Sequence, residues 1–341
     1  MTLQHAGRDS MRVAILGVGR LGAFHAKVLR EMSEVSEVRV YDADVQRAKD
    51  VAGELGARPV STVDDAFAGA DAAVIVTPTG THADLIHKCL DLGLPAFCEK
   101  PISLDLESSR KVVEHVEKSK GKVQIGFQRR FDAGFRAARD LVRAGTLGTV
   151  YGFAMTSRDA LPPPDAYIRT SGGQFRDQLI HDFDVTRWLF GDEVEELTAL
   201  GSTHGFPQYA AMGDVATAAV LMRLRGGAVG SASAARHNEA GYDIRVEVYA
   251  AKDTIAVGWD ARTPVRSVER DMPALAGPRY PSFFVRFDAA YRAELAHFLR
   301  FAKGDAVNPC SVAEAHEALR IAEAATLSLR ERRPVKLAEI A

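Results

Sequence analysis

From Met11 to Phe127, short apolar runs alternate with longer stretches whose apolar positions recur every three or four residues. The runs RVAILG, EVRVYD, AAVIVTP, PAFCEK and KVQIGF predict strands. LGAFHAKVLREM, ADVQRAKDVAGELG, THADLIHKCLDLG and LDLESSRKVVEHVEKSK predict the helices between them. Strands rich in Val and Ile, separated by helices, imply a parallel sheet covered on both faces. Right-handed crossovers then bring the strand C-termini to one edge, where such sheets bind ligands. After Phe127 the pattern changes. DAGFRAARDLVRAG predicts a helix, followed by strand-like alternation in TVYGFAMTSR, ATAAVLMRLRGGAVGSASAAR, YDIRVEVYAAKDTIAVG and PVRSVERD. Gly226 and Gly227 mark a hairpin turn, and two more helices are predicted at 288–303 and 312–331. The expected organisation is an α/β chain of two domains, 11–127 and 128–341, after a disordered leader at 1–10.

The loop after the first predicted strand reads Gly17-Val18-Gly19-Arg20-Leu21-Gly22, and it opens a helix. Asp42 ends the next strand, 20 residues beyond Gly22. That context makes the glycines a dinucleotide-binding (Rossmann) fingerprint. Gly17 permits the tight turn, Gly19 lets a pyrophosphate approach the backbone, and Gly22 allows close helix–strand packing. The helix N-terminus offers free N–H groups to the phosphates. Asp42 would accept the adenosine ribose hydroxyls and repel a 2′-phosphate, which favours NAD over NADP. Arg47, a turn into the next helix, is the cation that tempers this preference. Two later strand ends face the same edge. Thr77, Pro78 and His82 belong to a loop suited to cover the nicotinamide ribose, where His82 at a helix start fits a structural role better than a catalytic one. Glu99 and Lys100 end a buried strand before Pro101, so Lys100 stands where the fold binds its ligands.

Charge and cysteines narrow the function. The 43 basic and 45 acidic side chains nearly balance, which gives no basic field for nucleic acid. No apolar run reaches the roughly 18 residues of a membrane helix. Three scattered cysteines fit a reducing cytoplasm and no CxxC metal site.

The densest chemistry lies in GGQFRDQLIHDFD, residues 172–184. Phe175, Leu179, Ile180, Phe183, Trp188 and Leu189 form an apolar helix face, while Asp177 and His181, four apart, share another. The spacing alone permits a solvated ion pair, two metal ligands or an acid–base dyad. No second cluster with ligand spacing accompanies the pair, and Asp182 and Asp184 point elsewhere, so no metal is expected. The cofactor loop and Lys100 upstream favour the dyad, meeting at an interdomain cleft.

Together these motifs resemble a known family. GVGRLGAFHA, VTPTGTHADL, CEKPISLD, GFQRRFD, GGQFRDQLIHDFDVTRWLFG, AYRAELAHFL and SLRERRPVKL span almost the whole chain. The chain resembles the glucose–fructose oxidoreductase/inositol dehydrogenase/rhizopine-catabolism (Gfo/Idh/MocA) family of NAD(P)-dependent oxidoreductases. SRDALPPPDAYIRTSGGQFRDQLIHDFD and GYDIRVEVYA are most similar to its inositol 2-dehydrogenases. The resemblance implies an N-terminal Rossmann domain and a C-terminal α+β domain on an open, mainly antiparallel sheet. That sheet's exposed face would build a homo-oligomer, a dimer or tetramer. The resemblance also implies a cis Lys100–Pro101 bond and the catalytic set Lys100, Asp177 and His181. In that set His181 takes the hydroxyl proton of a secondary alcohol, Asp177 orients and charges the imidazole, and Lys100 stabilises the alkoxide. The expected substrate is a polyol, myo-inositol or a close relative, oxidised by NAD to a ketone. Arg129, Arg158, Gln178, Tyr242 and Asp243 are candidate hydroxyl partners. The chain reads EAGYDIR where relatives often read YGYDQR, and Gln128 stands where Met or Asn is common. Another sugar or amino-cyclitol is therefore an alternative substrate, as are tightly held NAD in a redox cycle and a non-catalytic NAD(P)-sensing regulator.

Overall fold

A computed structural model describes residues 10–271 and 277–340. The expected leader, apart from Ser10, lies outside the described residues. The chain forms two compact units. The first comprises the chain up to Phe127 together with Tyr291–His316; the second comprises Gln128–Ala290 and the chain from Glu317 onward.

Six parallel strands build the first unit: β1 (Met11–Leu16), β2 (Val35–Tyr41), β3 (Arg58–Pro59), β4 (Ala72–Ile75), β5 (Ala96–Glu99) and β6 (Val123–Gly126). Their order is β3-β2-β1-β4-β5-β6, which reverses direction beside β1. Val13 to Leu16, Ala72 to Ile75 and Ala96 to Cys98 are all 0% exposed, so both faces of the central strands are covered. The two residues of β3 are exposed and carry no hydrophobic pattern, which is why they escape a sequence reading. Helices at Val45–Leu55 and Leu106–Ser119 start at Asp44 and Asp105, whose carboxylates accept backbone N–H groups of the first turn.

Tyr291–His316 leaves the second unit and joins the first, which otherwise ends at Phe127. The helix Asp288–Lys303 supplies Leu295, Phe298, Leu299 and Ala302 to the apolar core of Val13, Ile15, Val38 and Phe97. Further along, Asn308 Nδ2 donates to the Val123 carbonyl at 2.6 Å, and Ile125 N donates to the Cys310 carbonyl at 3.0 Å. This segment covers the free edge of β6. Periodicity shows that such a helix is amphipathic and is silent on which core receives its apolar face.

A seven-stranded sheet organises the second unit: β7 (Val150–Arg158), β8 (Val194–Ser202), β9 (Thr217–Leu224), β10 (Val229–Ala235), β11 (Asp243–Ala250), β12 (Thr254–Val257) and β13 (Val335–Lys336). In the order β12-β11-β7-β10-β9-β8-β13 only β7 and β10 run parallel. β9 and β10 form the hairpin expected at Gly226–Gly227, where Leu224 N donates to the Ala228 carbonyl. β9 alternates strictly, one side chain buried and the next exposed. On its exposed side stand Leu221 at 60%, with Leu200 at 68% and Val229 at 47% on the flanking strands. One expectation needs correction, and one strand carries no readable pattern. PVRSVERD, 264–271, is irregular rather than a strand, with Val265 and Val268 exposed instead of buried. β8 went unread because its register shifts between Val194 and Glu196, which interrupts the alternation. No helix among the described residues is long and apolar enough to cross a membrane.

Two substitutions test this packing. Phe298→Ala opens a cavity in the first unit's core and is expected to cost about 3–5 kcal/mol. Urea unfolding checks it; a loss below about 1 kcal/mol would place Phe298 outside that core. A Cβ on Gly22 would sit 1.9 Å from the Gly17 carbonyl oxygen. Gly22→Val is therefore expected to lift the helix Arg20–Glu31 from the β1 turn and abolish NAD binding in a calorimetric titration.

Candidate active site

In the first unit, the C-terminal edge of the parallel sheet collects the loops that sequence singled out. Gly17 has φ +85°, and a Cβ there would meet the Val76 carbonyl oxygen at 2.7 Å and Thr77 Cα at 2.8 Å. Only glycine fits both the conformation and the space. Around Gly19, by contrast, a Cβ would meet nothing within 4 Å. The turn is thus tight on its protein side and open where a pyrophosphate would approach. Arg20 and Leu21 open the helix Arg20–Glu31 directly after it, and among its first residues none is acidic to repel an anion.

Asp42 is buried at the end of β2. Its Oδ2 accepts from Val18 N at 2.8 Å, and its Oδ1 accepts from Asp44 N at 2.8 Å and Arg47 Nη1 at 3.2 Å. Arg47 also donates to Asp44 Oδ2 at 3.2 Å. One guanidinium between two carboxylates leaves this corner net negative, which disfavours a ribose 2′-phosphate. The donors present, the open glycine turn and the acidic corner fit NAD.

His82 is 2% exposed and bridges two strand-end loops. Its Nδ1 lies 2.8 Å from the Pro101 carbonyl oxygen and its Nε2 lies 2.8 Å from the Thr77 carbonyl oxygen. Burial lowers its pKa, while the two carbonyls oppose that shift. Both ring nitrogens face backbone carbonyls, so His82 links the loop at Thr77 to the one at Pro101. Glu99 is also committed, its Oε1 lying 2.8 Å from Nε2 of fully buried His25. Lys100 follows directly, partly exposed, with a cis bond to Pro101.

In the second unit, Gly172 and Gly173 adopt φ +85° and +86° and lead into a single helical turn, Gln174–Asp177. The helix expected to carry Phe175 to Leu189 on one face is broken. Leu179 N donates back to the Gln174 carbonyl, and a new helix runs Ile180–Phe190. At the break, Gln178 Nε2 donates to the Ala235 carbonyl at 3.1 Å, so the wide turn is tied to the end of β10. Asp177 and His181 therefore occupy two helical pieces rather than one face of a single helix. The expected apolar residues are buried, and His181 is the partly exposed polar residue at the start of the second piece.

Asp177 is 8% exposed, and both its oxygens are engaged. Oδ1 accepts from the Tyr167 hydroxyl at 2.7 Å, and Oδ2 accepts from Arg236 Nη1 at 2.5 Å. Tyr167 is 48% exposed overall, but its hydroxyl lies against Asp177, where local desolvation and the Asp177 charge raise its pKa well above the ordinary value and keep it a donor. Neither Tyr167 nor Arg236 was singled out from sequence. Arg236 lies 59 residues from Asp177, a pairing that no local pattern announces.

The candidate hydroxyl partners are mostly occupied by the protein itself. Arg129, 2% exposed, donates to Asp182 Oδ1 at 2.9 Å and Ser157 Oγ at 3.1 Å. Arg158 donates to Ser233 Oγ at 3.0 Å, and burial lowers its pKa. Tyr242 is buried against Phe283 and Phe287, which raises its pKa. Asp243 pairs with Arg245 at 2.8 Å. Gln178 also accepts from Gln174 Nε2 at 3.0 Å. Asp182 and Asp184, both 0% exposed, pair with Arg129 and Arg130. Among the described residues, no group of three or more His, Cys, Asp or Glu side chains could hold a metal ion.

Both halves of the chain match known proteins. Residues 11–127 match the family model described as "Oxidoreductase family, NAD-binding Rossmann fold", and 135–256 match the GFO/IDH/MocA C-terminal domain. The chain is 35% identical to a myo-inositol 2-dehydrogenase of Thermotoga maritima over 97% of this chain and 99% of that protein. It is 37% identical to an inositol 2-dehydrogenase of Rhizobium meliloti, over 96% of this chain and 100% of that protein. Its fold is similar to the crystal structure of scyllo-inositol dehydrogenase from Lactobacillus casei with bound NAD(H) and scyllo-inositol. That likeness has a TM-score of 0.84 and 27% identity, and it covers 96% of this chain and 99% of that one. With a glycine turn and acidic corner suited to NAD, and with both halves matched, the chain belongs to the GFO/IDH/MocA family of NAD-binding oxidoreductases.

Proposed function

We propose that the protein oxidises a secondary hydroxyl of a cyclitol, myo-inositol or a close relative, to the corresponding ketone (an inosose). The observation that carries this reading is near-full-length similarity to several inositol dehydrogenases. NAD would supply the hydride acceptor. Gly17, Gly19, Arg20, Leu21 and Gly22 would hold its pyrophosphate, Asp42 its ribose, and Thr77 and Pro78, next to His82, would border it.

An alcohol gives up hydride readily only when its hydroxyl proton also leaves. His181 takes that proton on the imidazole. An imidazole is the side chain that ordinarily titrates near neutrality, so one group can accept the proton and later release it to water. The Asp177 carboxylate stabilises the imidazolium. The Lys100 ammonium donates a hydrogen bond to the reacting oxygen and offsets its developing negative charge. Arg158 and Gln178 border the substrate at the ends of β7 and β10. Arg129 and Tyr242, buried and occupied, shape the site from behind.

Two further assignments accompany this one. The apolar side chains Leu200, Leu221 and Val229 on the exposed face of the second sheet suit a homo-oligomeric contact, in a dimer or tetramer. Three buried cysteine side chains suit a reducing, cytoplasmic setting.

The test is NADH absorbance with purified protein, NAD and a panel of cyclitols and sugars. NADH is expected with myo-inositol or scyllo-inositol, and silence across the panel would overturn the reaction in favour of a regulator. His181→Ala is expected to lower kcat by about 10²–10⁴-fold while NAD binding is retained. Turnover within about threefold of the unmodified protein would remove His181 from the proton transfer.

A further inference from the structure

Beneath Asp177 lies a buried cation that the reaction as described above does not use. Arg236 is 1% exposed and stands one residue past the end of β10, its N–H donating to the Ala216 carbonyl at 2.9 Å. Its Nη1 donates to Asp177 Oδ2 at 2.5 Å, and its Nη2 donates to Asp214 Oδ2 at 3.2 Å. Asp214 is itself tied to the same helical turn, because its Oδ1 accepts from Gln174 N at 2.8 Å. Gln174 begins that turn and Asp177 ends it. The guanidinium and Asp214 thus grip the turn at both ends.

We propose that Arg236 is a positioning residue for the reaction: braced by Asp214, it fixes the direction and the ionised state of the Asp177 carboxylate. The proposal rests on the catalytic assignment of Asp177 above. A planar guanidinium presents two donors in fixed directions, so it holds two carboxylates at a defined separation in a way an ammonium does not. The Tyr167 hydroxyl, from the turn Asp165–Ile168, fixes the other oxygen of Asp177. The carboxylate therefore has a defined plane as well as a defined charge.

The charges around this group are Asp177, Asp214 and Asp159, facing Arg236, with the Tyr167 and Tyr209 hydroxyls as neutral neighbours. Burial alone would lower the Arg236 pKa, but the Asp177 and Asp214 charges outweigh it and raise it above the ordinary value. Arg236 is therefore charged at every working pH. Without it, a buried cluster of carboxylates loses its cation, and Asp177 takes up a proton more readily. While Asp177 remains ionised, its uncompensated charge also makes the His181 imidazolium harder to deprotonate. Both effects move the acid limb of activity in the same direction, to higher pH.

The experiment measures kcat/KM against pH, together with NAD affinity, for Arg236→Gln and Arg236→Lys. Arg236→Gln is expected to move the acid limb up by about one pH unit. It should also lower kcat by about 10²-fold, since a small misplacement of a catalytic group has that cost. NAD affinity should be unchanged, because the nucleotide loops lie in the first unit. Arg236→Lys keeps the charge but not the fork, so it should recover at least about tenfold in kcat with a smaller shift. If Arg236→Gln does not fold, the shift in Arg236→Lys carries the test. A folded variant with lower thermal stability but an unmoved acid limb and near-normal kcat would make Arg236 merely structural and overturn the proposal. Failure of the unmodified protein to turn over any cyclitol or sugar overturns the proposed reaction instead, so the two failures are distinguishable.

Discussion

A parallel sheet buried on both faces has one place left for chemistry, and that constraint orders the first unit. β4, β5 and β1 from Val13 onward expose essentially nothing. A polar ligand can meet them only beyond their C-terminal ends, where backbone groups are no longer paired within the ladder. The glycine turn after β1, the acidic corner after β2, the loop after β4 and Lys100 after β5 follow from this single geometry. Even the contact between Gly22 and Gly17 belongs to it, since the first helix must start close against the strand for its N-terminus to face the same edge.

The second unit obeys a different constraint. Its helix Ile180–Phe190 is buried almost all round yet carries Asp182 and Asp184. A buried carboxylate is tolerated only when paired. Arg129 and Arg130, adjacent on the segment just after β6, provide that pairing. Replacing a single member of such a pair strands the other charge, so these arginines brace the helix. Asp177 is held by the same logic at its own turn, through Arg236 and Tyr167. What differs is the position of His181, partly exposed directly beyond the wide turn.

This distinction explains which parts of the site were legible. The nucleotide loops could be read because each is a local motif: a glycine spacing, a strand-ending acid, a lysine before proline. The apolar residues of 175–189 could be read because helical period survives a one-turn break. The break itself could not, because it depends on Gln178 reaching the Ala235 carbonyl, 57 residues away. For the same reason Arg129 and Tyr242, plausible hydroxyl partners on chemical type alone, are committed to buried protein contacts. The strand expected at 264–271 shows the converse, where a local pattern lacked a sheet neighbour to complete it.

By itself, then, the sequence determined the parallel nucleotide-binding sheet, the glycine turn, the acidic ribose corner and the residues Lys100, Asp177 and His181 as chemical candidates. These are properties of short segments, set by backbone sterics and hydrophobic period. Tertiary structure alone decided that Tyr291–His316 completes the first unit's core and covers the edge of β6. It also decided that Asp177 answers to Arg236, Tyr167 and, through the guanidinium, Asp214. The physical reason is the same in both cases. A buried apolar face or a buried charge must find a complement, and the complement is chosen by what the folded chain brings within a few ångströms, however far apart along the sequence.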